Sequence, residues 1–328
     1  MTQSNETITI SGLPFPASRI ALGTWAIGGW MWGGPDDDNA VKTVHEALDL
    51  GINLIDTAPV YGFGHSEEVV GKAVEGRRDK VLLATKLGLN WKDGKVFRDS
   101  RPERLRQEVE DSLKRLRTDR IDLIQVHWPD PKVSIAEVAR TLEGLRKEGK
   151  VLALGASNFS VEQLDEFRAE APLAAIQPPY NLFEREIEKD ILPYAKKHHL
   201  VALAYGPLCR GLLSGRMTAE SKFGKDDLRS SDPKFQAPRF AHYLKAVEDL
   251  KAVADRHGKS LLALAIRWVL DRGPTIALWG ARKPSQISGV DDAFGWSLTE
   301  QDMRDIDEIL SRDIPDPVGP EFMAPPDA

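Results

Sequence analysis

The chain is 328 residues long, 41% hydrophobic and 29% charged, with 21 Pro, eight Trp and a single Cys. These proportions exclude disorder and collagen-like architectures; at this length one packed domain buries about 75% of the surface its unfolded chain exposes, so no disulfide or structural metal is required. Fifty acidic against 44 basic residues give a net charge of −6 without a long Lys/Arg block, which argues against nucleic acid and anionic membrane as partners. Cys209 has no second cysteine to bridge, which suits a reducing compartment and removes zinc-ribbon and CxxC chemistry. The segment Met1 to Thr9 is polar and contains Glu6, and no run of 18 apolar residues occurs. A cytoplasmic, soluble protein with no membrane contact is expected.

In chain order, Ile8 to Pro16 reads as a hairpin able to close the bottom of the fold. Short apolar runs then alternate with amphipathic segments. The runs, candidate strands one to eight, are Arg19 to Trp25, Asn53 to Asp56, Lys80 to Lys86, Arg120 to Trp128, Val151 to Ala156, Ala174 to Gln177, Leu200 to Tyr205 and Thr275 to Leu278. Between them, Leu105, Val109, Ser112, Leu113 and Leu116 share one helical face. Ser100 with Glu103, Ser134 with Glu137 and Ser160 with Gln163 have the spacing of capping boxes. Eight strand–helix units with no linker between them predict a closed (β/α)8 TIM barrel, a single domain over residues 1–328, with a doubly wound open sheet as the alternative. Outside the repeat lie the hairpin, a long loop from Gly206 to Arg239 after strand seven, and an extra C-terminal helix near Thr299 to Ser311.

In such a barrel the active site forms at the carboxyl ends of the strands. Strand two ends in Asp56, with Tyr61 five residues later; strand three ends in Lys86 and strand four in His127. Singly, each has a plain reading as a cap, a solvated strand end or a satisfied core histidine. Three consecutive strands each ending in an ionisable group would make those readings a coincidence, because desolvating such groups is costly. Together they suit proton donation to an oxygen: Tyr61 as acid, Lys86 lowering the phenol below its ordinary value, Asp56 holding the lysine, His127 orienting a substrate oxygen. The set lacks an activated Ser or Cys and needs an electron-pair donor from elsewhere. Trp25, Trp30 and Trp32 crowd the loop after strand one, Trp91 follows strand three and Trp128 sits beside His127; they line a pocket mouth or pack loops. His198 and His199 read as a solvated pair, Cys209 as packing, and Asp227 with Arg229 as a surface pair or part of a lid. The string GFGHSE carries Glu67 where a dinucleotide fingerprint needs its third glycine.

The strings GINLIDTAPVYGFGHSEEVVG, LLATK, IDLIQVHWPD and LGASNF resemble the signature segments of the aldo-keto reductases from about Ile20 to Asp292. AYGPLCRGLLSGR and ALWGARKPSQI are similar to the bacterial branch containing glycerol dehydrogenases. The resemblance implies NADP(H)-dependent reduction of small, glyceraldehyde-like aldehydes or oxidation of polyols, with Asp56, Tyr61, Lys86 and His127 as catalytic tetrad. It further implies Ser157, Asn158 and Gln177 on the nicotinamide carboxamide and Tyr205 stacked on its ring. Thr24 and Trp25 would line the pocket, Gly206, Pro207, Leu208, Arg210 and Arg216 would lie over the pyrophosphate, and Gly280, Arg282 and Gln286 at the adenosine and its 2′-phosphate. Trp279, Gly280 and Ala281 stand where many members have Pro-Lys-Ser; Arg282 and Lys283 remain, so NADP(H) is expected and NAD(H) left open. Two other classes stand beside this: NADP-binding regulatory subunits, in which the strand-four histidine is replaced, and metal-dependent hydrolase barrels. The presence of His127 favours an enzyme, and the lack of an HxH ending strand one weighs against a metal site. The expected state is a monomer acting on a small carbonyl or alcohol.

Overall fold

Alternation along each short strand sorts its side chains to the two faces of a cylinder. The computed structural model describes residues 6–326. A hairpin of β1 (Thr7–Ile8) and β2 (Ala17–Ser18) precedes β3 (Ile20–Gly23), β4 (Leu54–Asp56) and β5 (Leu82–Leu87). An antiparallel ribbon, β6 (Leu89–Lys92) with β7 (Lys95–Arg98), intervenes before β8 (Ile121–Val126), β9 (Val151–Ser157), β10 (Ala175–Gln177), β11 (Val201–Ala204) and β12 (Thr275–Gly280). The eight strands from β3 to β12, without the ribbon, pair in chain order, all parallel, and β12 pairs back with β3 to close a barrel. This is the predicted (β/α)8 architecture.

Inside, the lower positions are apolar: Leu54, Leu82, Ala84, Leu123, Ala153, Ala175, Leu203 and Ile276 form one core, plugged from below by Ile10 of the hairpin. Two residues further along the same faces the side chains turn polar, as Leu54 gives way to Asp56, Ala84 to Lys86 and Ala175 to Gln177. Outward residues, among them Ile55, Leu83, Ile124 and Leu154, join the second core beneath the helices. Each such Leu or Ile contributes about 1.5–3 kcal/mol by burial, which leaves the upper end free to carry charge.

The helices are α1 (Asp37–Asp49), α2 (His65–Ala73), α3 (Pro102–Arg115), α4 (Ile135–Lys147), α5 (Val161–Glu170), α6 (Ile191–Lys197), α7 (Arg239–Arg256), α8 (Leu261–Leu270) and α9 (Glu300–Asp313). The Ser160–Gln163 box forms in full, and the Ser134 hydroxyl accepts the Glu137 N–H. The Ser100–Glu103 box does not form. α3 starts with Pro102 after Arg101, and the Ser100 N–H donates to Asp130 instead. The last repeat also departs from expectation: α7 and α8 both lie between β11 and β12, whereas β12 is followed by short 3-10 turns, Pro284–Gln286 and Val290–Ala293. The C-terminal helix is present as α9 and packs on α7. Among the described residues no helix is long and apolar enough to cross a membrane.

Just past Lys86, Gly88 adopts φ +88° and donates its N–H to Glu108 of α3 at 2.8 Å. Burial pushes the Glu108 carboxyl up to about 8, against the pull of the Gly88 N–H and Arg104. An acid raised in the folded state takes up a proton on folding, so its contribution to stability falls as pH climbs from its unfolded value, 4.5, to about 8. Glu108→Gln should therefore leave Tm near parental at acidic pH and raise it at alkaline pH; thermal melts across pH check this, and a gap independent of pH would refute it.

Candidate active site

The carboxyl end of the barrel gathers Asp56, Tyr61, Lys86 and His127. The Lys86 Nζ donates to Asp56 Oδ1 at 2.5 Å and to the Thr57 carbonyl at 2.9 Å, with both side chains almost wholly buried. The same nitrogen lies 5.0 Å from the centroid of the Tyr61 ring. That ring meets His127 edge-on at 5.9 Å and stacks on Trp25 at 5.8 Å, with 17° between planes. Tyr61 is presented by a tight turn in which its N–H donates to Ala58. The turn presses on the loop after β3 backbone to backbone: a Cβ at Gly28 would lie 2.5 Å from the Tyr61 carbonyl carbon.

The electrostatics differ from the expectation of a lowered phenol. Burial and the Asp56 carboxylate hold Tyr61 well above its ordinary 10.0. The physical reason is that burial disfavours the charged phenolate more than Lys86, bonded to Asp56, favours it, and burial pulls Lys86 itself below its ordinary 10.5. Burial and the nearby ammonium of Lys86 likewise push His127 well below 6.5. At neutral pH the site thus offers a neutral phenol and a neutral imidazole above a buried ion pair.

The residues expected at the nicotinamide are already knit together. Asn158, at φ +61°, donates its side-chain amide to the His127 carbonyl and to Ser157 Oγ, each at 3.0 Å, and accepts from the Tyr205 hydroxyl at 2.9 Å. Ser157 Oγ donates to the Gln177 carbonyl at 2.7 Å, and the Gln177 amide donates to Asp56 Oδ2 at 2.8 Å. Thr24 is fully buried and its hydroxyl donates to the Asp56 carbonyl at 2.9 Å, so its part is to brace Asp56. Gly206 (φ +65°) begins the turn carrying Pro207 and Leu208. Arg210, expected over a pyrophosphate, is instead committed inside the protein to Glu184 at 2.5 Å and Asp232 at 2.8 Å, because those buried carboxylates require a cation. Arg216 is exposed. Gly280 ends β12, Gln286 Oε1 accepts the N–H groups of Arg282 and Lys283, and the Arg282 guanidinium donates to the carbonyls of Trp32 at 2.5 Å and Gly34 at 3.2 Å.

The tryptophans divide into two groups. Trp25 meets Trp32 edge-on at 5.9 Å, extending the Tyr61 stack; the indole nitrogens of both are buried without a partner. Trp30 packs on Phe63 at 5.2 Å, and Phe63 on Trp91 at 5.6 Å. Trp128 lies under the Arg98 guanidinium, 5.5 Å away, and packs with Trp30 and Tyr61 against Ala58, Val60 and Leu89. Asp227 and Arg229 pair at 2.5 Å, but as part of a bridge rather than a solvated surface: Asp227 pairs with Trp32, and Arg229 lies over Phe223 at 4.5 Å. Sequence reasoning missed Phe63, whose only signal was its place between two glycines, and Gln125, two residues before His127 on the inward face.

What this arrangement can do is give one proton to an oxygen that is gaining electrons from another source; fold and site together define a barrel oxidoreductase. Comparison with known proteins agrees, for the sequence model of the aldo/keto reductase family matches residues 19–311. The chain belongs to the aldo/keto reductase family. It is similar to the glycerol dehydrogenase AKR11B4 from Gluconobacter oxydans, with 63% identity, 98% of this chain and 100% of that one covered, and a TM-score of 0.91. It is 35% identical to the NADH-specific methylglyoxal reductase of Escherichia coli (strain K12), covering 90% of this chain and 96% of the relative. An aldo/keto reductase from Klebsiella pneumoniae in complex with NADP and acetate shares 26% identity over 93% of this chain and 95% of its own, with a TM-score of 0.74.

Because Gly28 sets the position of Tyr61 by backbone contact, Gly28→Ala should lower kcat by about tenfold or more while the far-UV spectrum stays parental. Unchanged turnover would show that the turn does not depend on that contact.

Proposed function

We propose that the protein reversibly reduces small aldehydes of the glyceraldehyde kind with NADPH, and in the reverse direction oxidises polyols such as glycerol. The observation that carries this reading is the Tyr61 phenol set between Trp25, His127 and the buried Lys86–Asp56 pair. Tyr61 gives its proton to the carbonyl oxygen as the adjoining carbon is reduced, and retakes it in the reverse direction. His127, neutral, hydrogen-bonds the same oxygen and fixes its approach to the phenol. Lys86, held in place by Asp56, is the cation that faces the phenolate left behind by proton transfer. The packed rings of Trp25, Trp32, Trp30 and Trp91 beside Tyr61 favour a short substrate.

The dinucleotide, when bound, supplies the hydride. Ser157, Asn158 and Gln177 would hold its carboxamide and Tyr205 its ring, with Gly206, Pro207, Leu208 and Arg216 along the pyrophosphate and Gly280, Arg282 and Gln286 at the adenosine. The donor set fits: with both Gln177 N–H groups engaged by Asp56 and Gln125, its carbonyl oxygen is left to accept from a carboxamide NH2. Arg282 and Lys283 supply cations for a 2′-phosphate. Because Arg282 is drawn onto the carbonyls of Trp32 and Gly34, and a relative is NADH-specific, NADH is the second reading.

Purified protein with glyceraldehyde should consume NADPH faster than NADH, and Tyr61→Phe should cut kcat/KM by about 100-fold or more. A wild type that turns over neither dinucleotide across a panel of aldehydes would refute the reading. The reductive kcat/KM should stay level across neutral pH, since Tyr61 keeps its proton below its raised pKa and His127 stays neutral above its lowered one, and should fall on the alkaline side as Lys86, lowered below 10.5 by burial, loses its proton. A limb near neutrality would contradict these assignments.

A further inference from the structure

Gln125 is completely buried and the proposed chemistry does not use it. On β8 it pairs in register with Lys86 of β5 on one side and Gly155 of β9 on the other. A Cβ at Gly155 would lie 2.8 Å from Gln125 Cγ, so the missing side chain leaves the space through which Gln125 reaches across the barrel. Its amide donates to Asp56 Oδ2 at 3.1 Å, and its carbonyl oxygen accepts from Gln177 at 3.2 Å. Gln177 donates to the same Asp56 oxygen at 2.8 Å. Both amides must turn their NH2 groups toward Asp56, since either carbonyl in that place would face a carboxylate oxygen. The triangle thereby fixes which way Gln177 points.

We propose that Gln125 is a positioning residue that couples the two halves of the site: it holds Asp56 for the proton donors and sets the Gln177 amide so that its carbonyl oxygen receives the nicotinamide carboxamide. This rests on the function proposed above. Without Gln125, Asp56 Oδ2 loses one of its two amide donors and Gln177 loses the acceptor that fixes its second N–H. A glutamic acid at the position reproduces both bonds only when protonated; ionised, it places a second carboxylate against Asp56, a situation that raises its pKa above the ordinary carboxyl range.

The test compares wild type, Gln125→Leu, Gln125→Glu and Tyr61→Phe from about pH 5 to about pH 9, measuring reductive kcat/KM and, by fluorescence quenching, NADPH binding. Gln125→Leu should lose about tenfold or more in kcat/KM at every pH and bind NADPH about threefold or more weakly. Gln125→Glu should lie within about threefold of wild type at the acidic end and lose about tenfold or more as pH rises, a limb absent from the parent. Wild-type rates and binding in Gln125→Leu, or a Gln125→Glu profile parallel to the parent, would overturn the coupling. Should Gln125→Glu fail to fold at alkaline pH, as judged by circular dichroism, Gln125→Leu and NADPH binding decide alone. Tyr61→Phe separates the two claims: full activity there removes the underlying reading, whereas its collapse beside unaffected Gln125 variants removes only this proposal.

Discussion

The carboxylate of Asp56 is the point on which the upper barrel turns. One oxygen takes Lys86 and the other takes the amides of Gln125 and Gln177, while its backbone carbonyl accepts both the N–H and the hydroxyl of Thr24. Side chains from β5, β8 and β10, and the loop after β3, thus converge on one residue of β4. Several kcal/mol are needed to take each charge out of water, and removing one partner from such a pair costs about 3–5 kcal/mol. The apolar layers beneath permit this arrangement by holding the strands in register without help from the polar groups.

A second buried charge cluster organises the loops. Arg210, Glu184, Asp232 and Lys234 are all buried; Glu184 takes both cations, and Lys234 also donates to the Gly319 carbonyl of the C-terminal tail at 3.0 Å. Two positive and two negative side chains leave the cluster near neutrality, which makes its burial tolerable. It also braces a backbone in which Cys209 and Arg210 both adopt positive φ, 46° and 54°. The tail, the loop after β10 and the loop after β11 are thereby tied into one support. The buried carboxylates of Glu184 and Asp232 explain why Arg210 faces inward.

Across the mouth, the loop after β3 and the long loop after β11 are joined by the Trp32–Asp227 bridge and by the Leu228 N–H donating to Met31 at 3.0 Å. Arg282, from beyond β12, clamps the same stretch through Trp32 and Gly34. The loop after β3 is thereby held on two sides, by the long loop after β11 and by the segment that follows β12.

The order of the strands and the gathering of Asp56, Tyr61, Lys86 and His127 at one end of the barrel were legible without coordinates, because apolar periodicity and a costly charge at a strand end are properties of the chain itself. Capping chemistry was legible for Ser160, where side chain and helix start lie in adjacent residues, and misleading for Ser100, where Pro102 moved the start. What only the tertiary structure decided was the pairing of charges and dipoles distant in sequence. The direction of the Tyr61 shift depends on its burial beside the Asp56 carboxylate, and the inward turn of Arg210 depends on Glu184 and Asp232. Gln125 acquires a meaning only beside Asp56, 69 residues away, and Gln177, 52 away. Hydrophobic patterning acts locally and repeats along the chain, whereas the field at a buried group is set by whichever partners the closed barrel brings within hydrogen-bond distance.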